Sequence, residues 1–163
     1  MTLGEFGDFQ CSSCGAAEPT VKRVLATYPN DVALVFVNLP LSTHANALRA
    51  AEAFLAAARQ GKAWEMHDQM LAQQQALADA DLDRYAQMIG LDLVQFDAER
   101  ASAEIADEVA QDEALAASLA VHTTPTFAID GYWIVGSQPF SAFKEVIDPK
   151  LALPLRDAAV DLQ

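Results

Sequence analysis

Residues 3–14 read Leu3-Gly4-Glu5-Phe6-Gly7-Asp8-Phe9-Gln10-Cys11-Ser12-Ser13-Cys14, and this stretch decides the interpretation of the whole chain. Its first seven residues alternate in the manner of a β-strand, and Ser12 and Ser13 favour the start of a helix. The chain has only these 2 cysteines, whereas a structural zinc site needs four ligands. A C-x-x-C pair at a strand-to-helix junction therefore indicates a dithiol that cycles between oxidised and reduced forms.

The two cysteines are expected to have different roles. Cys11 lies at the predicted helix start, where free N–H groups and the positive end of the helix dipole favour its thiolate, the form that attacks disulfides. Cys14 lies one turn further in, close enough to pair with Cys11 and too enclosed to meet a substrate first. We therefore expect Cys11 to be the nucleophile and Cys14 to resolve the mixed disulfide. Ser12 and Ser13 supply no positive charge, so we predict moderate oxidising power.

The elements that follow continue an α/β pattern. A helix is predicted from Cys14 to Tyr28, with a kink at Pro19 because proline lacks an N–H group. The run from Val32 to Leu39 is nearly all apolar, which is typical of a strand buried on both faces of a parallel sheet. Pro40 ends this strand.

Helices alone are predicted from Ser42 to Ala120. The first is expected to begin at Ser42 or Thr43 and to bury Leu48. The last is expected to bury Leu119. We interpret residues 43–120 as an all-helical insertion between a βαβ half and a ββα half of the fold.

A hairpin and a closing helix complete the pattern. Thr126 to Ile129 and Tyr132 to Val135 read as two strands joined by a tight Asp130-Gly131 turn. A helix is predicted from Phe140 to about Leu153. The complete order describes an α/β chain with a thioredoxin-like fold, in which helices flank a central mixed sheet.

The second half of the site is predicted around Thr124 and Pro125. A proline that opens a strand after a threonine is a candidate for a cis peptide bond. In that form the backbone of Thr124 would lie beside Cys11, ready to pair with an extended substrate. The alternative is a trans proline that merely opens an edge strand. His122 is a candidate cation near the Cys11 thiolate.

Glu5 is predicted to lie beneath the cysteines, because it alternates onto the same strand face as Phe9. A buried carboxylate has a raised pKa and could relay the proton of Cys14. The alternative is a partly exposed strand residue without a role. Four further side chains are expected to shape the structure and not to act: two that form the loop and two that lie in the core. These are Asp8 and Gln10 in the loop, and Trp64 and Trp133 in the core, while His44 and His67 are expected to be incidental.

Composition limits the functions that are possible. The 163 residues are 52% hydrophobic and 20% charged, which predicts a single globular domain over residues 1–163. A formal net charge of −13 repels phosphate backbones and anionic membranes, so we expect no nucleic-acid partner. No uncharged apolar run is long enough to span a bilayer, and Met1-Thr2-Leu3 does not resemble a signal peptide. Two cysteines leave the redox compartment open.

Five segments of the chain together resemble the DsbA-like thiol-disulfide oxidoreductases of the thioredoxin superfamily. The resemblance covers most of residues 3–150. The matching segments are Glu5-Phe6-Gly7-Asp8-Phe9-Gln10-Cys11-Ser12-Ser13-Cys14, Leu39-Pro40-Leu41 through Ala50-Ala51-Glu52, Trp64-Glu65-Met66-His67-Asp68, Thr124-Pro125-Thr126-Phe127-Ala128-Ile129-Asp130-Gly131 and Val135-Gly136-Ser137-Gln138-Pro139.

The resemblance implies a specific chemistry. The family's motif positions correspond to Cys11, Cys14, Thr124, Pro125 and Glu5. It implies catalysis by the redox-active disulfide with no other cofactor and no metal, on cysteine-containing protein substrates, with a redox partner that regenerates the active form. It also favours a periplasmic, extracytoplasmic location.

The chain departs from the family in three ways. The family more often has proline and then an aromatic residue or histidine where this chain has Ser12 and Ser13. Many relatives place a cation on the second strand near the buried carboxylate, whereas Val32 to Leu39 has none. The chain also starts at the central strand, without the usual leading segment.

Two other functions are compatible with the sequence. One is an enzyme of the same fold that uses a small thiol such as glutathione as co-substrate. The other is a non-catalytic thioredoxin-fold binding or chaperone module whose C-x-x-C pair is vestigial. The leading hypothesis remains an enzyme that forms, reduces or isomerises disulfides in proteins. The sequence indicates no oligomeric state.

Overall fold

The computed structural model describes residues 1–152 of the chain. The elements follow in the order β1 (Thr2–Gly7), α1 (Ser12–Thr27), β2 (Ala33–Asn38), α2 (Ala47–Arg59), α3 (Ala63–Ala72), α4 (Asp79–Met88), α5 (Leu93–Arg100), α6 (Ala103–Ser118), β3 (Thr126–Ile129), β4 (Tyr132–Val135) and α7 (Phe140–Leu151).

The strands form one mixed sheet in the order β2-β1-β3-β4. The central strand β1 runs parallel to β2 and antiparallel to β3, and β3 and β4 form an antiparallel hairpin. Helices α2 to α6 lie in sequence between β2 and β3. The predicted α/β architecture, a mixed sheet flanked by helices with a helical block between its two halves, is confirmed.

Both faces of the sheet carry apolar packing. On one face, Leu3 and Phe127 lie in a cluster with Val21 of α1 and Phe143 of α7. On the other face, Phe6 packs in a smaller cluster with residues of and just after α6. The third cluster joins the helical block to the start of α1, since it includes Met70 and Tyr85 together with Phe9, Cys11 and Cys14. The helical block therefore supports the two cysteines directly.

The second strand is less buried than its composition predicts. β2 lies at one edge of the sheet, and within residues 1–152 it pairs with β1 alone. Val35, in the middle of the strand, is 48% exposed, whereas the following residues Phe36 and Val37 are buried. The prediction that Val32 to Leu39 is buried on both faces is therefore wrong for the first half of the strand. An apolar run alone does not distinguish a central strand from an edge strand.

The helical block begins later than predicted. Helix α2 starts at Ala47 and not at Ser42 or Thr43, which lie in a turn. This turn is held by residues near the cysteines: the side chain of Gln10 accepts a hydrogen bond from the Asn46 backbone N–H at 2.7 Å. Contacts with the cysteine loop thus replace a helical start over this segment. Leu48 consequently points outward, contrary to the prediction.

Three other large apolar side chains predicted to be buried are exposed. Trp64 is 44% exposed, Trp133 46% and Leu119 45%. Trp133 belongs to the edge strand β4 and packs one side of its ring near Phe6, with 6.1 Å between ring centroids. The closing helix ends at Leu151, and the predicted end at residue 153 lies outside the described residues. None of the helices within residues 1–152 combines the length and the apolar character that a membrane span requires.

Candidate active site

The two cysteines differ sharply in their surroundings. Cys11 is the N-cap residue of α1, in an extended backbone conformation. Its carbonyl accepts hydrogen bonds from the backbone N–H groups of Cys14 at 3.0 Å and Gly15 at 3.3 Å, which start the helix. Cys11 retains 9% exposure, whereas Cys14 has none. Both cysteines are free thiols in this structure, so the site is in its dithiol form.

Thr124 lies directly against Cys11. The Cys11 thiol donates a hydrogen bond to the Thr124 carbonyl oxygen at 3.4 Å. The peptide bond between Thr124 and Pro125 is cis. This segment is fixed by its neighbours, because the Gly136 N–H donates to the Pro125 carbonyl at 2.8 Å. The start of β3 and the start of α1 therefore meet at the Cys11 sulfur.

The Cys14 thiol is enclosed in the core. Burial raises its pKa well above the usual range of a cysteine, and the charges of Cys11 and Glu5 act in the same direction. The backbone N–H of Asp8 donates to the Cys14 sulfur at 3.5 Å, a contact that favours the thiolate. Burial has the larger effect, so Cys14 is a thiol in the resting dithiol form.

Glu5 lies beneath the cysteines on β1 and is 1% exposed. Burial, together with the smaller effect of the negative charge of Glu18, raises the pKa of its carboxyl group to about 8. One of its carboxyl oxygens, Oε2, is buried without a hydrogen-bond partner. A carboxyl group in these surroundings is mostly protonated at pH 7 and can both give and take a proton.

Asp8 ties the cysteine loop to the segment after β2. Its fully buried carboxylate accepts hydrogen bonds from the backbone N–H groups of Gln10 at 2.7 Å and Leu41 at 2.9 Å. The same carboxylate lies 2.7 Å from Nδ1 of His44. Asp8 and Gln10 shape the loop, as expected. His44, which the sequence presented as incidental, is part of this support.

Gln74 supports the loop from the opposite side, and its position could not be recognised from the sequence. Its side-chain amide donates to the Phe9 carbonyl at 2.9 Å and to the Cys11 carbonyl at 2.7 Å. Gln74 lies in the turn after α3, 63 residues along the chain from Cys11. The one local signal was Gly15, a glycine inside a helix. A Cβ atom there would lie 2.3 Å from Oε1 of Gln74.

Three other predicted side chains are exposed to solvent. Ser12 and Ser13 are exposed in the first turn of α1. His122 is exposed and lines a shallow surface pocket with Thr123 and Trp133, while the recorded partner of the Cys11 sulfur is Thr124.

A possible metal-ligand group is already neutralised by a lysine. Glu18, His67 and Asp68 place one ligand atom each within 4.8 Å of one another. The Lys22 ammonium lies 3.1 Å from Glu18 and 3.0 Å from Asp68, so both carboxylates already contact a cation. His67 is buried against aromatic rings, with 5.2 Å to Phe36 and 5.7 Å to Phe9 between ring centroids.

Comparison with protein families identifies the family to which this fold belongs. Residues 2–148 match the family model described as DSBA-like thioredoxin domain. The chain belongs to this family. Among solved structures, the DsbA-like chain is similar to a thioredoxin-like oxidoreductase from Silicibacter pomeroyi DSS-3, with 28% identity and a TM-score of 0.85 over 94% of this chain and 87% of that one. A periplasmic thioredoxin-like protein from Salmonella enterica serovar Typhimurium shares the fold, with 23% identity and a TM-score of 0.81 over 93% and 84% of the two chains.

Sequence relatives of this DsbA-like chain are larger proteins. It is 46% identical to a Na(+)/H(+) antiporter, NhaA 3, from Salinispora tropica over 132 residues. That match covers 80% of this chain and 20% of the antiporter. The chain thus spans about a fifth of the length of the curated relatives it matches. The family resemblance read from the cysteine, proline and hairpin segments is confirmed.

Proposed function

We propose that this DsbA-like chain is a thiol-disulfide oxidoreductase that exchanges disulfides with protein substrates through Cys11 and Cys14. The observation that carries the proposal is the placement of Cys11: its sulfur lies at the N-terminus of α1, against the Thr124 carbonyl and in front of a fully buried second thiol. A helix N-terminus stabilises a nearby anion, and a buried partner thiol can react only with the first cysteine.

The exchange proceeds in two displacements. In the oxidising direction, a substrate thiolate attacks the Cys11 sulfur of the Cys11–Cys14 disulfide, so that a substrate–Cys11 bond forms and Cys14 leaves as a thiolate. A second substrate thiolate then attacks the substrate sulfur of this mixed disulfide and releases the Cys11 thiolate. The substrate loses two electrons and the protein gains them. The reducing direction is the same sequence in reverse.

The surroundings of Cys14 give it a proton when it leaves. Burial raises the pKa of the Cys14 thiol, so its thiolate form is unfavourable. Glu5, with its pKa raised to about 8, holds a proton at neutral pH and is the proposed donor. In the reverse step the Glu5 carboxylate takes the proton back. This role makes Glu5 a proton relay.

Thr124 is proposed to present substrate to Cys11. In the dithiol form its carbonyl accepts from the Cys11 thiol. When Cys11 carries no proton, as a thiolate or in a disulfide, that carbonyl is free to accept an N–H from an extended substrate segment. Pro125, Ser12 and Ser13 complete the site around the sulfur. The proposed cycle uses no cofactor beyond the redox-active disulfide and no metal.

Three features of the cell biology belong to the same proposal. The substrates are proteins with cysteines, and a second redox protein returns the Cys11–Cys14 couple to its active state. The location is extracytoplasmic, an inference supported by the family and by the periplasmic protein from Salmonella enterica. We also propose that residues 1–163 act as a single domain.

Turnover assays of matched cysteine variants test the proposal. The wild-type chain is expected to catalyse reduction of insulin by dithiothreitol, and Cys11→Ala is expected to abolish this activity. Ser141→Ala provides a control, because it changes an exposed side chain on α7 outside the site and should retain turnover. Activity that requires glutathione and no other thiol would favour the glutathione-dependent alternative. Absence of turnover in the wild-type chain, with partner binding unchanged in Cys11→Ala, would favour the binding module.

A further inference from the structure

Gln74 holds the backbone on both sides of the reactive cysteine. Its amide nitrogen donates to the Phe9 carbonyl at 2.9 Å and to the Cys11 carbonyl at 2.7 Å. The Cys11 carbonyl also accepts from the Cys14 N–H, the bond that closes the first helical turn. Gln74 therefore fixes the peptide group through which the two cysteines are connected.

Gly15 leaves the space that Gln74 occupies. A Cβ atom on residue 15 would lie 2.3 Å from Oε1 and 2.8 Å from Cδ of Gln74. Glycine within a helix is less favourable than alanine, so its presence inside α1 needs a reason. The close approach of the Gln74 amide supplies one. Because the obstructing atoms end a flexible side chain, a methyl group here would displace Gln74 and leave the helix intact.

We propose that Gln74 is a positioning residue of the redox site, which sets how readily Cys14 reaches the Cys11 sulfur. This inference rests on the proposed disulfide exchange. The Gln74 amide bonds to backbone carbonyls and not to a sulfur. By holding the Cys11 carbonyl it limits the motion of the loop, and a fixed geometry raises the effective concentration of one reacting group at the other. Without its hydrogen bonds the loop samples arrangements in which Cys14 is less well placed.

The consequence appears in the reaction with oxidised glutathione. The Cys11 thiolate attacks a glutathione sulfur, forms a Cys11–glutathione disulfide and releases one glutathione thiolate. Cys14, deprotonated, then attacks the Cys11 sulfur, closes the Cys11–Cys14 disulfide and releases the second glutathione. The protein loses two electrons and oxidised glutathione gains them. Gln74 acts on the second step, so its loss is expected to prolong the life of the mixed disulfide.

Three variants test the inference in the purified 163-residue chain: Gln74→Ala, Gly15→Ala and the double variant. The equilibrium constant for closing the Cys11–Cys14 disulfide in glutathione buffers should fall about threefold to tenfold in Gln74→Ala, the effect expected for one or two lost hydrogen bonds. Gly15→Ala should give a fall of the same size, because it expels Gln74. The double variant should be no worse than Gln74→Ala alone, since alanine at position 74 leaves room for the new methyl group.

The controls separate positioning from general stability. Gln75→Ala removes an exposed glutamine from the same turn and should leave the equilibrium unchanged. The midpoint temperature of thermal unfolding should not be lower in Gly15→Ala than in wild type, because alanine favours the helix. If Gln74→Ala fails to fold, Gly15→Ala alone tests the inference. Its equilibrium constant for disulfide closure should fall, and mass spectrometry should show accumulation of the Cys11–glutathione adduct.

Distinct results overturn the two proposals. An unchanged equilibrium in Gln74→Ala, or in Gly15→Ala if only that variant folds, contradicts the role of Gln74 and leaves the enzyme proposal intact. Gly15→Ala could also lower the equilibrium constant by the same factor in the wild-type and Gln74→Ala backgrounds. That result would show that Gly15 acts independently of Gln74, and it would contradict the proposed role of Gln74. A wild-type chain that forms no disulfide with glutathione and reduces no insulin contradicts the proposed function itself.

Discussion

The sulfur of Cys11 lies 3.4 Å from the carbonyl oxygen of Thr124, although 113 residues separate them in the chain. The contact joins the two halves of the fold, because Cys11 precedes α1 and Thr124 precedes β3. Cys14, behind Cys11, is fully buried. The two sulfurs of one C-x-x-C pair thus have unlike surroundings, and this difference produces the first prediction.

Alkylation of the reduced native protein should distinguish the cysteines. Iodoacetamide is expected to modify Cys11 at least about tenfold faster than Cys14 at pH 8, because Cys14 is inaccessible and burial raises its pKa. Peptide mass spectrometry of samples quenched over time gives both rates. In guanidinium chloride the two rates should become similar. Equal rates in the folded protein would contradict the assigned roles.

Glu5→Gln should remove a component of the pH dependence of stability. The pKa of Glu5 is raised from 4.5 to about 8, so between these values the native state keeps a proton that the unfolded chain has released. Stability therefore falls as the pH rises through this window, by an upper limit of about 5 kcal/mol. Glu5→Gln should have a higher free energy of unfolding than wild type at pH 9. The difference between the two proteins should be much smaller at pH 4.5.

Urea unfolding at a series of pH values measures this difference. Glu113→Gln, which changes an exposed glutamate on α6, is the matched control and should follow the wild-type curve. A Glu5→Gln profile parallel to wild type from pH 4.5 to 9 would show that Glu5 titrates normally in the folded protein. In that case Glu5 could not serve as the proton relay.

Gly7→Ala should destabilise the core next to the site. A Cβ atom on Gly7 would lie 2.4 Å from the ring of Phe36, which is stacked on Phe9 with 4.9 Å between centroids. Moving this ring should cost about 1–3 kcal/mol of unfolding free energy. Gly4→Ala in the same strand is the control, because its Cβ would meet Ala128 at an ordinary 3.8 Å. Equal losses in the two variants, measured by urea unfolding, would contradict this packing argument.

Asp8→Ala should loosen the cysteine loop. The substitution leaves two partly buried backbone N–H groups without their acceptor and removes the partner of His44. The expected loss of unfolding free energy is about 2–4 kcal/mol, and Asp107→Ala at an exposed position should lose far less. His44→Ala should cost less in the Asp8→Ala background than in wild type. Strict additivity of the two variants would mean that the pair contributes no coupling.

The elements with strong local signals were predicted well from the sequence. The hairpin strands Thr126–Ile129 and Tyr132–Val135 have the predicted bounds, because runs rich in β-branched and aromatic residues flank a turn that needs glycine. β1 and α1 lie where the cysteine segment places them. The edge position of β2 was not predictable in the same way, since it depends on which strands pair and not on the residues of Val32 to Leu39.

The supports of the site were harder to predict, because they are contacts between distant segments. Gln74 reaches Cys11 across 63 residues, and His44 reaches Asp8 across 36. Neither glutamine nor histidine has a spacing that marks such a contact. The late start of α2 has the same origin, since Gln10 binds the Asn46 backbone in a segment that local preferences assign to a helix. Local sequence predicts elements, whereas these bonds depend on the finished fold.

Trapping of a substrate by the Cys14→Ala variant tests the central claim most directly. Incubation of reduced Cys14→Ala with a protein disulfide such as insulin should give a covalent adduct through Cys11, visible by non-reducing electrophoresis and released by dithiothreitol. The account predicts this adduct in Cys14→Ala and its absence in Cys11→Ala. An adduct that forms through Cys14 in Cys11→Ala, or no adduct in either variant, would contradict it.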